Sequence, residues 1–315
     1  MTVAVCLFLY SFVVVVLAPR LLLRCTRTGV APRLGVAAWL AAIGSVVLSW
    51  LAAATLLVVA FVSQRGRAGP ILRDCFVMLR SVALGRFGAL VQVGLLTLTG
   101  LAALTVALLA VRLARALART WTMSRKHGEM ARLVGRRVPG LDAVVLDAPE
   151  RFVYCVAGRT QTIVVTSATL DMLDERQLNA VLSHERAHLA GRHHMLIAIT
   201  RGLARILPRV ALFTISAAEI ARLLEMCADD AAARVHGPRT VLGALLAISG
   251  AVPAPAVALG ATGVDMVARA ERLAIPPGPA RRVRARLALT AVAIFVVTAP
   301  ALTAIGLALC GSVGG

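Results

Sequence analysis

Ser183-His184-Glu185-Arg186-Ala187-His188-Leu189 is the stretch that decides how this chain is read. It has the form H-E-x-x-H. On a helix, residues four apart lie one turn above each other, so His184 and His188 can share one metal ion. Neutral imidazole is a good zinc ligand, and Glu185 can reach a water on the metal from the side and act as general base. The alternative is a polar helix face whose histidines make ordinary hydrogen bonds.

The surroundings suit a helix. Asp174 and Gln177 have the spacing of a capping box, which starts a helix near Asp174, and Gly191 ends it. Upstream, residues 143–146, 152–156 and 162–166 read as strands, with Gly158-Arg159-Thr160 as a hairpin turn between the last two. The motif therefore follows directly on a strand.

Catalytic zinc takes three protein ligands and leaves a fourth position open. The best third ligand is Glu225, in Glu225-Met226-Cys227-Ala228-Asp229-Asp230. A helix puts Glu225 and Asp229 on one face, where Asp229 can accept the free N–H of a ligand histidine. His193 and His194 are rivals, but they follow Gly191 and would have to fold back. A solvated acidic patch paired with Arg222 or Arg234 is the plainer alternative. The six cysteines are scattered and form no CxxC pair, so neither a disulfide framework nor a zinc ribbon is expected.

Further out, the composition is that of a membrane protein. The chain of 315 residues is 59% hydrophobic, with a mean hydropathy of +0.84. Four stretches are apolar enough to span about 30 Å of hydrocarbon: 3–18, 34–62, 90–111 and 287–310. Two others, 195–217 and 241–261, are ambiguous. Arg201, Arg205 and Arg209 share one face of the first, which suits an interfacial or groove-lining helix. Prolines and glycines break the second, which suits a short helix and a loop.

The net charge is +19, and among the basic residues only Lys126 is not arginine. The arginines flank the apolar stretches and show no nucleic-acid reader motif, so anionic lipid is the expected partner and direct nucleic-acid binding is not. Arg20–Arg33, Arg112–Arg137 and Arg281–Arg286 fall on one side of the membrane, which the positive-inside rule makes the cytoplasm. The five arginines of the intervening loop run against that rule. The spans carry almost no ionisable residues, which argues against a transporter.

The expected organisation is a polytopic α-helical membrane protein. Residues 1–111 hold three spans, 112–286 form a cytoplasmic domain, and 287–315 hold the last span and a short tail. The location is the inner (plasma) membrane.

Residues 161–194 resemble the M56 membrane metallopeptidases, the group containing the sensor-proteases of β-lactam-resistance signalling, which is related to the M48 endopeptidases. The matching features are Thr162-Ile163-Val164-Val165-Thr166, then Leu178-Asn179-Ala180-Val181-Leu182 before His184-Glu185, then His188. The acidic segment from Glu225 and the arrangement of three spans before the domain and one after also match. The resemblance implies an α+β gluzincin-like zinc metalloprotease domain. It makes His184, His188 and Glu225 the Zn2+ ligands, Glu185 the base and Asp229 the carboxylate behind them. It also places substrate along the strand edge of Ile163, Val164, Val165 and Thr166. The β-lactam sensors continue into an external penicillin-binding domain, and the sequence given stops at Gly315, so no covalent sensing of that kind is expected.

Three functions follow. The first is cleavage of a cytoplasmic regulatory protein such as a winged-helix transcriptional repressor, in signal transduction. The second is M48-like quality control of membrane proteins. The third, of another class, is a non-catalytic metal-binding receptor or scaffold, which has no need of the base Glu185.

Overall fold

The computed structural model describes residues 2–62, 89–156, 161–249 and 263–313. The loop after the second span, the hairpin turn at Gly158-Arg159-Thr160 and the Pro/Gly-rich stretch of 241–261 after Ser249 therefore lie outside or largely outside them.

The chain opens with two long helices, α1 (Thr2–Thr26) and α2 (Pro32–Val62). The sequence suggested that the first stops before Pro19, but α1 runs through it. A proline removes one backbone donor, and close neighbours tolerate that in a membrane helix. The helix ends instead near Gly29, which takes φ +59, a conformation that suits glycine. Helix α3 (Ala89–Val134) covers the 90–111 stretch, read as a third span, and continues unbroken through the arginine-rich segment beyond it.

A four-stranded sheet follows: β1 (Arg136–Arg137), β2 (Val144–Leu146), β3 (Val153–Val156) and β4 (Thr162–Thr166). The order is β1-β2-β4-β3; β2 and β4 are parallel and the other pairs antiparallel. Every residue of β4 is buried. That suits a run of β-branched residues covered on both faces.

Helices make up the rest: α4 (Ser167–Met172), α5 (Glu175–Ala190), α6 (His193–Ile206), α7 (Ala211–His236), α8 (Pro238–Ser249), α9 (Gly263–Ala274) and α10 (Pro279–Val313). Among the described residues, three helical segments, Cys6–Thr26, Pro32–Leu56 and Pro279–Leu302, are long and apolar enough to cross a membrane. The 195–217 stretch is not one helix. It breaks around Pro208, and α6 and α7 form a helical hairpin.

That hairpin packs among the membrane helices. The largest core joins Leu22, Trp39 and Val46 of α1 and α2, Phe213, Ile220 and Leu223 of α7, and Leu289 of α10. Trp50 and Phe213 meet with ring centroids 6.1 Å apart. Tyr10 Oη binds Ser45 Oγ and donates to the Val296 carbonyl, both at 2.6 Å, tying three apolar helices together. Inside a bilayer such packing and buried hydrogen bonds, rather than water exclusion, hold helices together.

Candidate metal centre

Helix α5 is fixed at both ends. Asp174 Oδ1 accepts the Gln177 N–H at 2.8 Å, Gln177 Oε1 accepts the Asp174 N–H at 3.3 Å, and Gly191 caps the other end. Leu182 and Leu189 pack on Ile163 and Val165 of the sheet. That contact turns His184 and His188 away from the sheet and towards α7. Ala180 of α5 meets Ala232 of α7, and these small residues let the two helices approach closely. Along the antiparallel contact, His184 then falls opposite Asp229, and His188 opposite Glu225.

The three side chains converge. His184 Nε2 lies 3.1 Å from His188 Nε2. Glu225 reaches both, with Oε2 3.5 Å from His184 Nε2 and Oε1 3.5 Å from His188 Nε2. The ligand atoms lie within 4.8 Å of one another. The edges of a zinc tetrahedron with ordinary bond lengths are about 3.3 Å, so this donor set fits the ion. The remaining ring nitrogens are engaged. His184 Nδ1 is 3.1 Å from Asp229 Oδ1, and His188 Nδ1 is 2.9 Å from His193 Nδ1. In a neutral ring, a donor on Nδ1 leaves the lone pair on Nε2, facing the cluster.

His193 does fold back, but behind His188 rather than into the cluster. Arg192 takes a left-handed φ of 49° to start α6. A Cβ at Gly191 would collide with the His193 ring, so a larger residue there would displace that ring from His188.

Burial and charge set the protonation states. Burial would lower His184, but Asp229 and Glu225 outweigh it and lift its pKa to about 10. Burial lowers His188 to about 3. Burial would raise Glu225, but the His184 hydrogen bond and Arg269 bring it down to about 2. Glu185 is raised to about 6, chiefly by burial. Its carboxylate accepts a hydrogen bond from the Cys155 thiol, which burial and that carboxylate push up.

Two of these neighbours were not foreseen. Arg269, on α9, places Nε 2.8 Å and Nη2 2.7 Å from the two oxygens of Asp229, and Nη1 3.0 Å from Glu225 Oε2. It is 6% exposed. Its sequence signal is a single arginine one turn before the buried Leu273. Cys155 is the other, on β3 beside Glu185.

The expectation that substrate lies along the edge formed by Ile163, Val164, Val165 and Thr166 is corrected. Strand β4 sits between β2 and β3, so both of its edges are already paired.

The profile of peptidase family M48 matches residues 117–300, more than half of the chain, from α3 into α10. The chain belongs to peptidase family M48. Peptidases of this family depend on a metal ion, and the His184–His188–Glu225 cluster of this M48 chain is a group that can hold one. A Halobacterium salinarum protein named Protease HtpX homolog is 29% identical over 91 residues, covering 29% of this chain and 31% of that protein. The M48 chain thus aligns with about a third of that relative's length. No solved structure matches it. Three of the described helices of this M48 member are long and apolar enough to cross a membrane.

Proposed function

We propose that this chain is a membrane zinc endopeptidase of the H-E-x-x-H gluzincin type that hydrolyses protein substrates at the cytoplasmic face. The observation that carries the proposal is the near-tetrahedral spacing of His184 Nε2, His188 Nε2 and the Glu225 carboxylate, with Glu185 beside them and outside the ligand set. His184, His188 and Glu225 hold the ion, and Asp229 orients His184. Zinc, when bound, supplies Lewis acidity towards water and a peptide carbonyl. Glu185 takes the proton of the attacking water on its carboxylate and passes it to the leaving amine. Its raised pKa places it close to the operating pH, where a base is most effective.

Strand β3 supplies the docking edge. Among the described residues it pairs only with β4, and Cys155 sets it alongside Glu185. An extended peptide can add to its free side through main-chain hydrogen bonds. The arginine clusters at the ends of the apolar helices support the cytoplasmic orientation and contact with anionic lipid.

Two substrate readings follow. Membership of M48 favours broad clearance of membrane proteins. The resemblance of the segment from Glu225 to Ala232 to M56 favours a dedicated regulatory protein, such as a winged-helix repressor.

The test is zinc content and peptide hydrolysis by the purified full chain, beside Glu185→Ala and Glu225→Ala. Wild type and Glu185→Ala should each hold about one zinc, with hydrolysis reduced about 10²- to 10⁴-fold in Glu185→Ala. Glu225→Ala should lose both. A wild type without zinc overturns the proposal, and zinc without cleavage points to a scaffold. A single cleavage point indicates the regulatory substrate, and many products indicate clearance.

A further inference from the structure

Helix α7 carries Glu225 and Asp229 on one side, and its other side is fastened to the turn joining α1 and α2. The carbonyl of Thr26, at the end of α1, is an acceptor with no partner inside its helix. It accepts the Gly29 N–H at 2.8 Å and Arg222 Nη2 at 2.9 Å. Thr26 Oγ1 shares its proton between the Leu22 carbonyl at 2.8 Å and Glu219 Oε2 at 3.2 Å, and Glu219 in turn accepts from Arg222 Nε at 3.2 Å and Nη2 at 2.9 Å. One turn on, Leu223 packs on Gly35 and Met226 on Gly29. A Cβ at Gly29 would collide with Met226 Sδ. Thr26, Leu223 and Met226 are all buried. Met226 adjoins Glu225 in sequence, and Arg222 lies one turn before it.

We infer that Gly29, Arg222 and Met226 are positioning residues for the metal cluster: the α1–α2 turn sets the height and rotation of α7, and with them the placement of Glu225 and Asp229. A helix is stiff over one turn, so a displacement at Met226 reaches Glu225 undiminished. A rotation of about 10° moves a side chain some 6 Å from the axis by about 1 Å. Ligand distances tolerate only about 0.2 Å. Small changes at the turn are therefore large at the cluster. The inference rests on the zinc reading only through its metal-binding readout.

The experiment uses the full chain in detergent, as wild type, Gly29→Asn, Met226→Ala and the double variant. Asparagine tolerates the left-handed backbone, so Gly29→Asn keeps the turn and drives a Cβ against Met226. Zn2+ affinity is measured by chelator competition, and hydrogen exchange of the 222–230 amides is measured without metal. Gly29→Asn should weaken zinc binding at least tenfold and speed exchange. The double variant should return both to the level of Met226→Ala alone, which mere loss of stability would not do. A folded Gly29→Asn with wild-type affinity and exchange overturns the inference, as does a double variant no better than Gly29→Asn. If Gly29→Asn fails to fold, Arg222→Gln takes its place: faster exchange and weaker binding support the inference, and no change in either overturns it. A wild type that binds no zinc overturns the zinc reading alone, while the exchange data still decide the positioning role.

Discussion

Replacing Arg269 by methionine should be among the most damaging single changes in the chain. The guanidinium makes two bonds to Asp229 and one to Glu225, at 2.7–3.0 Å, in a buried setting. Methionine fills much of the volume but leaves two carboxylates without their shared cation. Breaking a buried pair by removing one partner costs about 3–5 kcal/mol. His184, with its pKa near 10, remains protonated and serves as a partial counter-charge in the metal-free protein. The expected loss is therefore at the lower end, about 3 kcal/mol, or roughly 6–12 °C in melting temperature. The sign with pH is fixed. Arg269 depresses both carboxyl pKa values, so its contribution is complete above their unfolded values near 4 and fades as pH falls below them. Thermal melts of wild type and Arg269→Met, metal-free in detergent, should be far apart at pH 7.5, begin to draw together below about pH 4 and close only as pH falls through about 2. A loss below 1 kcal/mol at pH 7.5, or a gap that widens in acid, refutes the reasoning.

Zinc uptake should release about one proton at pH 7.5. His184 must give up a proton held with a pKa near 10, whereas His188 and Glu225 are already deprotonated. Calorimetry in buffers of different ionisation enthalpy measures that number, and apparent affinity should rise about tenfold per pH unit up to about pH 10. Hydrolysis should fall as pH drops through about 6, where Glu185 takes up a proton, and a pH–rate profile measures that limb. Asp229→Asn should weaken metal binding about 10- to 100-fold in the same chelator competition, because His184 loses the carboxylate behind it.

Much of this centre is legible in the sequence because it is local. The capping box at Asp174 and Gln177, the one-turn spacing of His184 and His188, and the one-turn spacing of Glu225 and Asp229 all follow from helix periodicity. What escaped was non-local. Arg269 reaches the cluster only through the packing of α9 against α7, across a stretch with no periodic pattern. The run Ile163-Val164-Val165 reads as a buried strand, but composition does not say which strands flank it. Its parallel pairing with β2 turned an expected edge into a centre. Helix α1 runs past Pro19 and Arg20, which look like a terminus in the sequence, because neighbours in the bundle hold it.

The helix that brings Glu225 to the histidines also fills the core between α1, α2 and α10. A fragment cut at residues 112 and 286 would carry that helix into water with Leu212, Phe213, Ile220 and Leu223 stripped of their cover, and it would aggregate rather than fold. Such a centre cannot be shed from the bilayer and keep its shape. Its reach is confined to the thin layer of solution against the lipid, and its effective concentration is set by membrane area rather than by volume.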